Sequence, residues 1–153
     1  MATRPPQTRL ASRRFSSVEQ EVYVNLWRTY DQLKRLEDAC FAEFELTAQQ
    51  YNVLRLLQAA DPAPVPTLTL ASRLISRAPD ITRMVDRLEA RGLVQRRRDA
   101  GNRRVVLIAL SPAGTALLDE IEDPLRRCHA EQLGHLSAAD LARLGDLLRQ
   151  ARA

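Results

Sequence analysis

The residues most able to do chemistry in this chain are arginines, and their densest group lies between two apolar runs. Five of them fall within nine positions: Arg96, Arg97, Arg98, Arg103 and Arg104. Because like charges this close repel one another unless an anion lies near, the group predicts a site for a polyanion. Gly101 and Asn102 between the flanking β-branched runs indicate a two-stranded hairpin with arginines at its tip.

A second polar group lies on one face of the helix predicted just before this hairpin. Ile81, Met84, Val85 and Leu88 follow helical spacing and predict a buried stripe. The opposite face carries Ser76, Arg77, Asp80, Thr82, Arg83, Asp86 and Arg87. Arginine holds guanine through paired hydrogen bonds, and hydroxyls bind bases or phosphates. The helix N-terminus also favours a phosphate, so this face predicts contact with duplex DNA.

The elements that position these groups begin with two helices. Ser16 and Glu19 match a capping box, and helical spacing of apolar residues then continues to about residue 44. A helix of this length suggests a strut between two copies of the chain. Thr47 and Gln50 match a second capping box. Residues 1–15, with four arginines and two prolines, predict a mobile basic arm.

Prolines and one glycine mark the boundaries of the central elements. A loop is predicted over 61–66, followed by a short helix over 67–75. Four of its residues are expected to face inward: Leu68, Ala71, Leu74 and Ile75. Pro79 is expected to open the next helix, and Gly92 to end it in a left-handed conformation.

Two further helices complete the chain. Ser111 and Pro112 fit the N-cap and first position of one helix, and Pro124 is expected to kink or break it. Ser137 is expected to cap the last helix. The fold class is therefore mainly α with a small two-stranded β-hairpin, an α+β arrangement.

This order of elements resembles the MarR family of bacterial regulators from about residue 16 to 150. Residues 81–94 (ITRMVDRLEARGLV) are similar to the family's recognition helix and its exit into the hairpin, which the family calls a wing. Residues 98–104 and 110–114 are similar to the wing and the start of the fifth helix. Residues 46–51 (LTAQQY) match a common start of the second helix.

The wing departs from the family pattern at one position. The family usually carries Asp two residues before its minor-groove arginine and braces that arginine with an ion pair. Here the two positions are Asn102 and Arg104. We expect Arg104 to keep its contact on a less rigid wing, or Asp99 to replace the missing carboxylate.

The resemblance implies a homodimeric, ligand-responsive repressor on a pseudo-palindromic operator. Its two recognition helices would enter successive major grooves, ~34 Å apart, and a small aromatic or lipophilic effector would release the DNA. The implied organisation is an arm (1–15), a dimerisation helix (16–45), a winged helix-turn-helix DNA-binding domain (46–110) and C-terminal dimerisation helices (111–153).

Two sets of candidate site residues follow. The predicted DNA contacts are Ser76, Arg77, Asp80, Thr82, Arg83, Arg87, Arg97, Arg98, Arg103 and Arg104. The candidate effector pocket consists of Tyr23, Trp27, Tyr30 and Tyr51. Aromatic residues at helical spacing more often belong to a core, and both interpretations of these four stay open.

Several functional classes find no support in the residues. Cys40 and Cys128 are too few for a disulfide framework, and neither matches the reactive cysteine that a peroxide-sensing branch of the family has near the start of its first helix. We expect inert or buried thiols. The chain has no HExxH, CxxC, nucleophile elbow or phosphate loop, so no metal, cofactor or catalysis is predicted.

Composition agrees with a small folded regulator. The 153 residues are 45% hydrophobic, enough for a core without disulfides. No apolar run reaches the ~18 residues of a membrane span, and residues 1–14 lack the apolar stretch of a secretory signal, so the cytoplasm is expected. The net charge of +4 permits an anionic partner. The alternative is a winged-helix module that binds protein or RNA, or DNA without sequence preference.

Overall fold

The structure is a computed structural model that describes residues 15–76 and 80–153. Over these residues the elements follow in this order: α1 (Val18–Ala42), α2 (Ala48–Ala60), β1 (Val65–Pro66), α3 (Thr67–Arg73), α4 (Ile81–Ala90), β2 (Val94–Arg98), β3 (Val106–Leu110), α5 (Pro112–Leu133) and α6 (Ala138–Gln150). No helix in the described ranges has both the length and the apolar character needed to cross a bilayer. The predicted basic arm, apart from Phe15, lies outside them.

By its packing the chain divides into two units after Leu36, within α1. In the first unit, α1 begins one residue later than the predicted capping box. Ser17 Oγ accepts a hydrogen bond from Gln20 N at 3.1 Å, and Gln20 Oε1 accepts one from Ser16 N at 2.6 Å. The prediction that Ser16 and Glu19 cap the helix is therefore wrong, because the overlapping Ser17 and Gln20 fit the helix end instead.

In the second unit, α2 begins as predicted. Thr47 Oγ1 accepts a hydrogen bond from Gln50 N, and Gln50 Oε1 accepts one from Thr47 N at 2.9 Å, which confirms this capping box. Leu54 and Leu57 are buried. The ring of the half-buried Tyr51 lies 4.8 Å from that of Phe41, centroid to centroid, and so belongs to the edge of the core.

The sheet has three strands rather than the two predicted. The strand order is β1-β3-β2, all antiparallel, with Val65 opposite Ile108 and Arg97 opposite Leu107. Strand β1 lies inside the segment predicted as a loop. It is only two residues long, so no alternating pattern marks it in the sequence. It also ends in Pro66, which has no N–H to donate to a neighbouring strand.

The short helix α3 is rotated relative to its prediction. Leu68 and Ile75 were expected inside but are exposed, with relative exposures of 84% and 90%, whereas Leu70 is fully buried. The helix ends at Arg73, and Asn52 Oδ1 accepts a hydrogen bond from Ile75 N at 3.0 Å. Seven residues make only two turns, and aliphatic residues on several faces leave the helical phase undetermined.

Helix α5 continues through Pro124, so the predicted break does not occur there, and the alternative of a kink stays a prediction. Leu118, Ile121 and Leu125 are buried on both sides of the proline. This packing offsets the loss of one backbone hydrogen bond. At the chain end, Ser137 Oγ accepts a hydrogen bond from Asp140 N, as predicted for the cap of α6, and no residue of α6 is buried in the single chain.

Candidate nucleic-acid interface

Helix α4 presents the polar face that the sequence predicts, but it begins later. Asp80 is the N-cap, and its carboxylate accepts a hydrogen bond from Arg83 N at 2.9 Å. The prediction that Pro79 opens the helix is therefore wrong; Pro79 itself lies outside the described residues. Val85 and Leu88 are buried, which confirms the apolar stripe. The opposite side of α4 is thereby directed to solvent.

Most predicted contact residues around α4 are accessible. Thr82, Arg83 and Arg87 are exposed, and the Arg83 side chain is 79% exposed although its Nε lies 3.1 Å from Asp80 Oδ2. Ser76 is exposed and accepts a hydrogen bond from Gln49 Nε2 at 3.4 Å. Arg77 lies outside the described residues. The Asp80 carboxylate already caps the start of α4, so a contact with DNA would be secondary to this capping role.

The tip of the wing (residues 98–104) is held by its own backbone. Asp99 Oδ1 accepts hydrogen bonds from Gly101 N at 2.7 Å and Asn102 N at 3.0 Å. Asn102 Oδ1 accepts one from Arg104 N at 3.1 Å, and Arg98 Nη1 donates to Arg103 O at 2.8 Å. Asp99 therefore closes the turn instead of bracing the Arg104 guanidinium.

The arginines of the wing thus form two groups. Those at positions 97, 98, 103 and 104 are exposed, and within the described ranges no carboxylate pairs with them. Arg96 is different, because it pairs with Asp86 and its Nε lies 3.3 Å from Glu89 Oε2. Its side chain is only 25% exposed. The two carboxylates neutralise the charge of Arg96 and so reduce the repulsion expected among the five arginines.

The base of the wing (Gly92, Leu93, Arg96, Ser111 and Gly114) joins the hairpin to its neighbours. Gly92 has φ +71°, which confirms the predicted left-handed end of α4. Ser111 Oγ donates to Gly92 O at 2.6 Å, and Ser111 N donates to Leu93 O at 3.1 Å. A Cβ at Gly114 would collide with Leu93 O and with the Leu110 side chain, so only glycine fits this contact.

Arg91 is a structural anchor that the sequence analysis missed. It follows the last turn of α4, where its Nη1 donates to Glu45 O at 2.6 Å and its Nη2 donates to Phe44 O at 3.1 Å. These carbonyls belong to the loop between α1 and α2, where Glu45 has φ +53°. No local pattern could have identified partners so distant in sequence.

Open grooves flank α4. One, of about 470 Å³, lies between α3, α4 and the wing and has Leu68, Thr82 and Arg104 on its walls. Another, of about 280 Å³, lies between α2 and α4 and is lined in part by Arg83 and Arg87. Both are bordered by predicted DNA contacts, so arginine guanidinium groups and threonine hydroxyls are available to a phosphate or a base edge.

The four candidate pocket aromatics line neither groove. Tyr23, Trp27 and Tyr30 are more than 60% exposed, and the rings of Tyr23 and Trp27 lie 6.4 Å apart. Tyr51 packs on Phe41, and burial raises the pKa of its phenol. The effector pocket therefore stays a prediction.

Known proteins resemble this chain in sequence and in fold. The MarR family profile matches residues 46–106. The transcriptional repressor NicR of Pseudomonas putida is 33% identical over 106 residues, which are 69% of this chain and 66% of NicR. Bordetella bronchiseptica BpsR, whose DNA binding is regulated by 6-hydroxynicotinic acid, has a TM-score of 0.78 at 25% identity, covering 90% of this chain and 97% of BpsR.

A further crystal structure, a MarR transcription factor from Planctomyces limnophilus, has a TM-score of 0.72. It is 53% identical, and the match covers 90% of this chain and 99% of that one. The fold class predicted from the sequence, mainly helical with a small antiparallel sheet, is confirmed apart from the third strand. Because the identity extends over almost the full length of both chains, this protein belongs to the MarR family of transcription regulators.

Proposed function

We propose that this protein is a repressor that binds a pseudo-palindromic operator as a dimer. The observation that carries the proposal is the orientation of α4, which buries Val85 and Leu88 and leaves Thr82, Arg83 and Arg87 exposed. A recognition helix needs such a face to reach base edges in the major groove. The arginines at the wing tip form no ion pair with the residues that the structure describes, and they fit an adjacent minor groove, whose negative potential attracts arginine.

The dimer is supported by apolar side chains that the single chain does not cover. In the first unit, α1 exposes Val22, Tyr23, Leu26, Trp27 and Tyr30. In the second unit, α6 exposes Leu141, Leu144 and Leu147. Apolar surface of this extent is typical of an interface with another chain, and a second copy is the partner that a palindromic operator requires.

The remaining parts of the proposal concern effector, catalysis and location. The DNA binding of BpsR responds to an aromatic acid, so we infer a small aromatic or lipophilic effector here. The protein acts by binding rather than by catalysis, because the exposed polar side chains around α4 and the wing are of types suited to contact with DNA. It acts in the cytoplasm, where a repressor reaches its operator.

Selection of bound duplexes from a random DNA pool tests the central proposal. We expect an enriched inverted repeat whose half-sites are about one helical turn apart, retained against excess genomic DNA at physiological salt. Sedimentation equilibrium of the free protein should give a dimer. Enrichment of no sequence would favour the alternative of a nonspecific binder, and a monomer on DNA would contradict the palindromic geometry.

Arg83→Ala tests the role of the α4 face. If Arg83 contacts a base, affinity for the selected operator should fall by ~1–3 kcal/mol, with relaxed preference at one base pair. Arg55→Ala is the matched control, because Arg55 is also exposed but lies on α2 outside the predicted contacts. An equal loss on every sequence would make Arg83 a phosphate contact instead.

A further inference from the structure

The two cysteines of the chain are neighbours in the structure. Cys40 lies on α1 and Cys128 on α5, in a region where Glu37 Oε1 of α1 lies 3.6 Å from Nε2 of His129, the residue after Cys128. The two thiols lie within interaction range of each other. Both are free thiols in the second unit; Cys40 packs against the core, and Cys128 is one of its buried residues. The sequence analysis treated each alone and expected inert thiols, because a separation of nearly ninety residues gives no sign of the contact.

The two thiols differ in accessibility and in surroundings. Cys40 is half-buried, whereas Cys128 is only 8% exposed. Burial raises the pKa of both thiols, and the negative charge of Glu37 adds to the rise in each. Arg127 and the S–H of Cys128 act in the opposite direction on the pKa of Cys40 alone. Cys40 is therefore the thiol that a reagent in solution meets first.

We propose that Cys40 and Cys128 form an oxidisable dithiol, which a small disulfide converts into an intrachain disulfide between α1 and α5. The Cys40 thiolate attacks one sulfur of the small disulfide RSSR, whose S–S bond breaks and releases RS⁻. Cys128 then loses its proton, attacks Cys40 Sγ in the mixed disulfide and expels the second RS⁻. The protein loses two electrons, RSSR gains them, and the two thiol protons end on two RSH.

Contact between the thiols favours ring closure over a lasting mixed disulfide. The second thiol is already adjacent, so its effective concentration exceeds that of any free thiol in solution. A metal ion would need more ligands, and the described residues contain no cluster of three His, Cys, Asp or Glu side chains suited to one. The disulfide would link α1 to α5 and close a loop of residues 41–127. It would therefore restrict the conformations of the unfolded chain.

Oxidation of the native protein with glutathione disulfide tests the proposal. We expect the intact mass to fall by two hydrogen atoms with no glutathione attached, a single chain on a non-reducing gel, and a peptide map that links residues 40 and 128. Dithiothreitol should reverse all three, and the oxidised form should unfold at higher urea concentration. Three results would overturn the proposal. They are lasting glutathione adducts, disulfides between chains, and thiols that stay reduced in the native protein but react in the unfolded chain.

Single variants test the assigned order of attack. Cys128→Ala should accept one glutathione on Cys40, and Cys40→Ala should react many times more slowly because only the buried Cys128 remains. In neither variant should oxidation raise the urea midpoint. Circular dichroism checks that each variant is folded, and Cys40→Ser replaces Cys40→Ala if it is not. Equal rates in the two variants would contradict the assigned roles.

Discussion

The base and the tip of the wing use the same residue type in opposite ways. At the base, Arg96 is mostly buried and pairs with Asp86 and Glu89 of α4. At the tip, Arg103 and Arg104 are exposed, and their ordered contacts run through the main chain. An arginine whose charge is neutralised inside the protein stabilises the fold, whereas one that forms no ion pair with the described residues retains its charge for a partner.

The base of the wing also positions the charged tip. Ser111 and Gly114, at the start of α5, contact Gly92 and Leu93 between α4 and β2. Arg96 connects β2 to α4 through its ion pairs. The tip then needs only the turn closed by Asp99. Substitutions at the base should therefore lower stability, and substitutions at the tip should lower DNA affinity alone.

Gly114→Ala should have the largest effect. The added methyl group would overlap Leu93 O and the Leu110 side chain, and such overpacking typically costs ~1–3 kcal/mol of unfolding free energy. Urea denaturation measures it. Gly145→Ala is the matched control, because its Cβ would make only ordinary contact with the Arg149 side chain. That control should gain ~0.5–1 kcal/mol from helix propensity, and equal behaviour of both variants would refute the tight contact at the base.

Arg96→Ala should have an intermediate effect. It removes one cation from two partly exposed carboxylates, Asp86 and Glu89, and screening by solvent limits the loss to about 1 kcal/mol. Arg97→Ala, next to it on the same strand but exposed, should change stability by less than about 0.5 kcal/mol. A double-mutant cycle with Asp86→Asn isolates the pair. A coupling energy of zero would place Arg96 with the tip arginines.

Arg104→Ala should have the smallest effect on stability, within about 0.5 kcal/mol. Its side chain is exposed, and its N–H bond to Asn102 Oδ1 survives the substitution. Affinity for operator DNA should nevertheless fall, and the salt dependence of binding should become shallower if a phosphate contact is lost. Fluorescence anisotropy over a range of salt concentrations measures both. Unchanged affinity would remove Arg104 from the interface.

Local patterns were sufficient where a few adjacent residues decide the structure. The capping residues Thr47 and Gln50, the left-handed Gly92 and the stripe of Val85 and Leu88 each depend on contacts within one or two turns. The same logic failed for α3, where helical phase in seven residues depends on packing with other elements, and for β1, whose pairing depends on β3.

The candidate site was predictable as a surface but not as a set of individual roles. Exposure of Thr82, Arg83 and Arg87 follows from the apolar stripe behind them. The separate role of Arg96 has a signal in the sequence, because Arg96 lies two residues after the buried Val94 in β2 and alternate residues of a strand share a face. Arg91 had no such signal, because its partners are carbonyls more than forty residues earlier.

The contacts of Arg91 determine how well substitutions are tolerated at positions 45 and 91. It binds two carbonyls, and the Glu45 carboxylate 4.0 Å away is 88% exposed and adds little. The identity of the Glu45 side chain therefore matters less than its left-handed backbone, which Gly and Asn adopt readily. Replacement of Arg91 removes both donors at once. Random mutagenesis should consequently accept Gly and Asn at position 45, reject β-branched residues there because of the positive φ, and find very few acceptable codons at position 91.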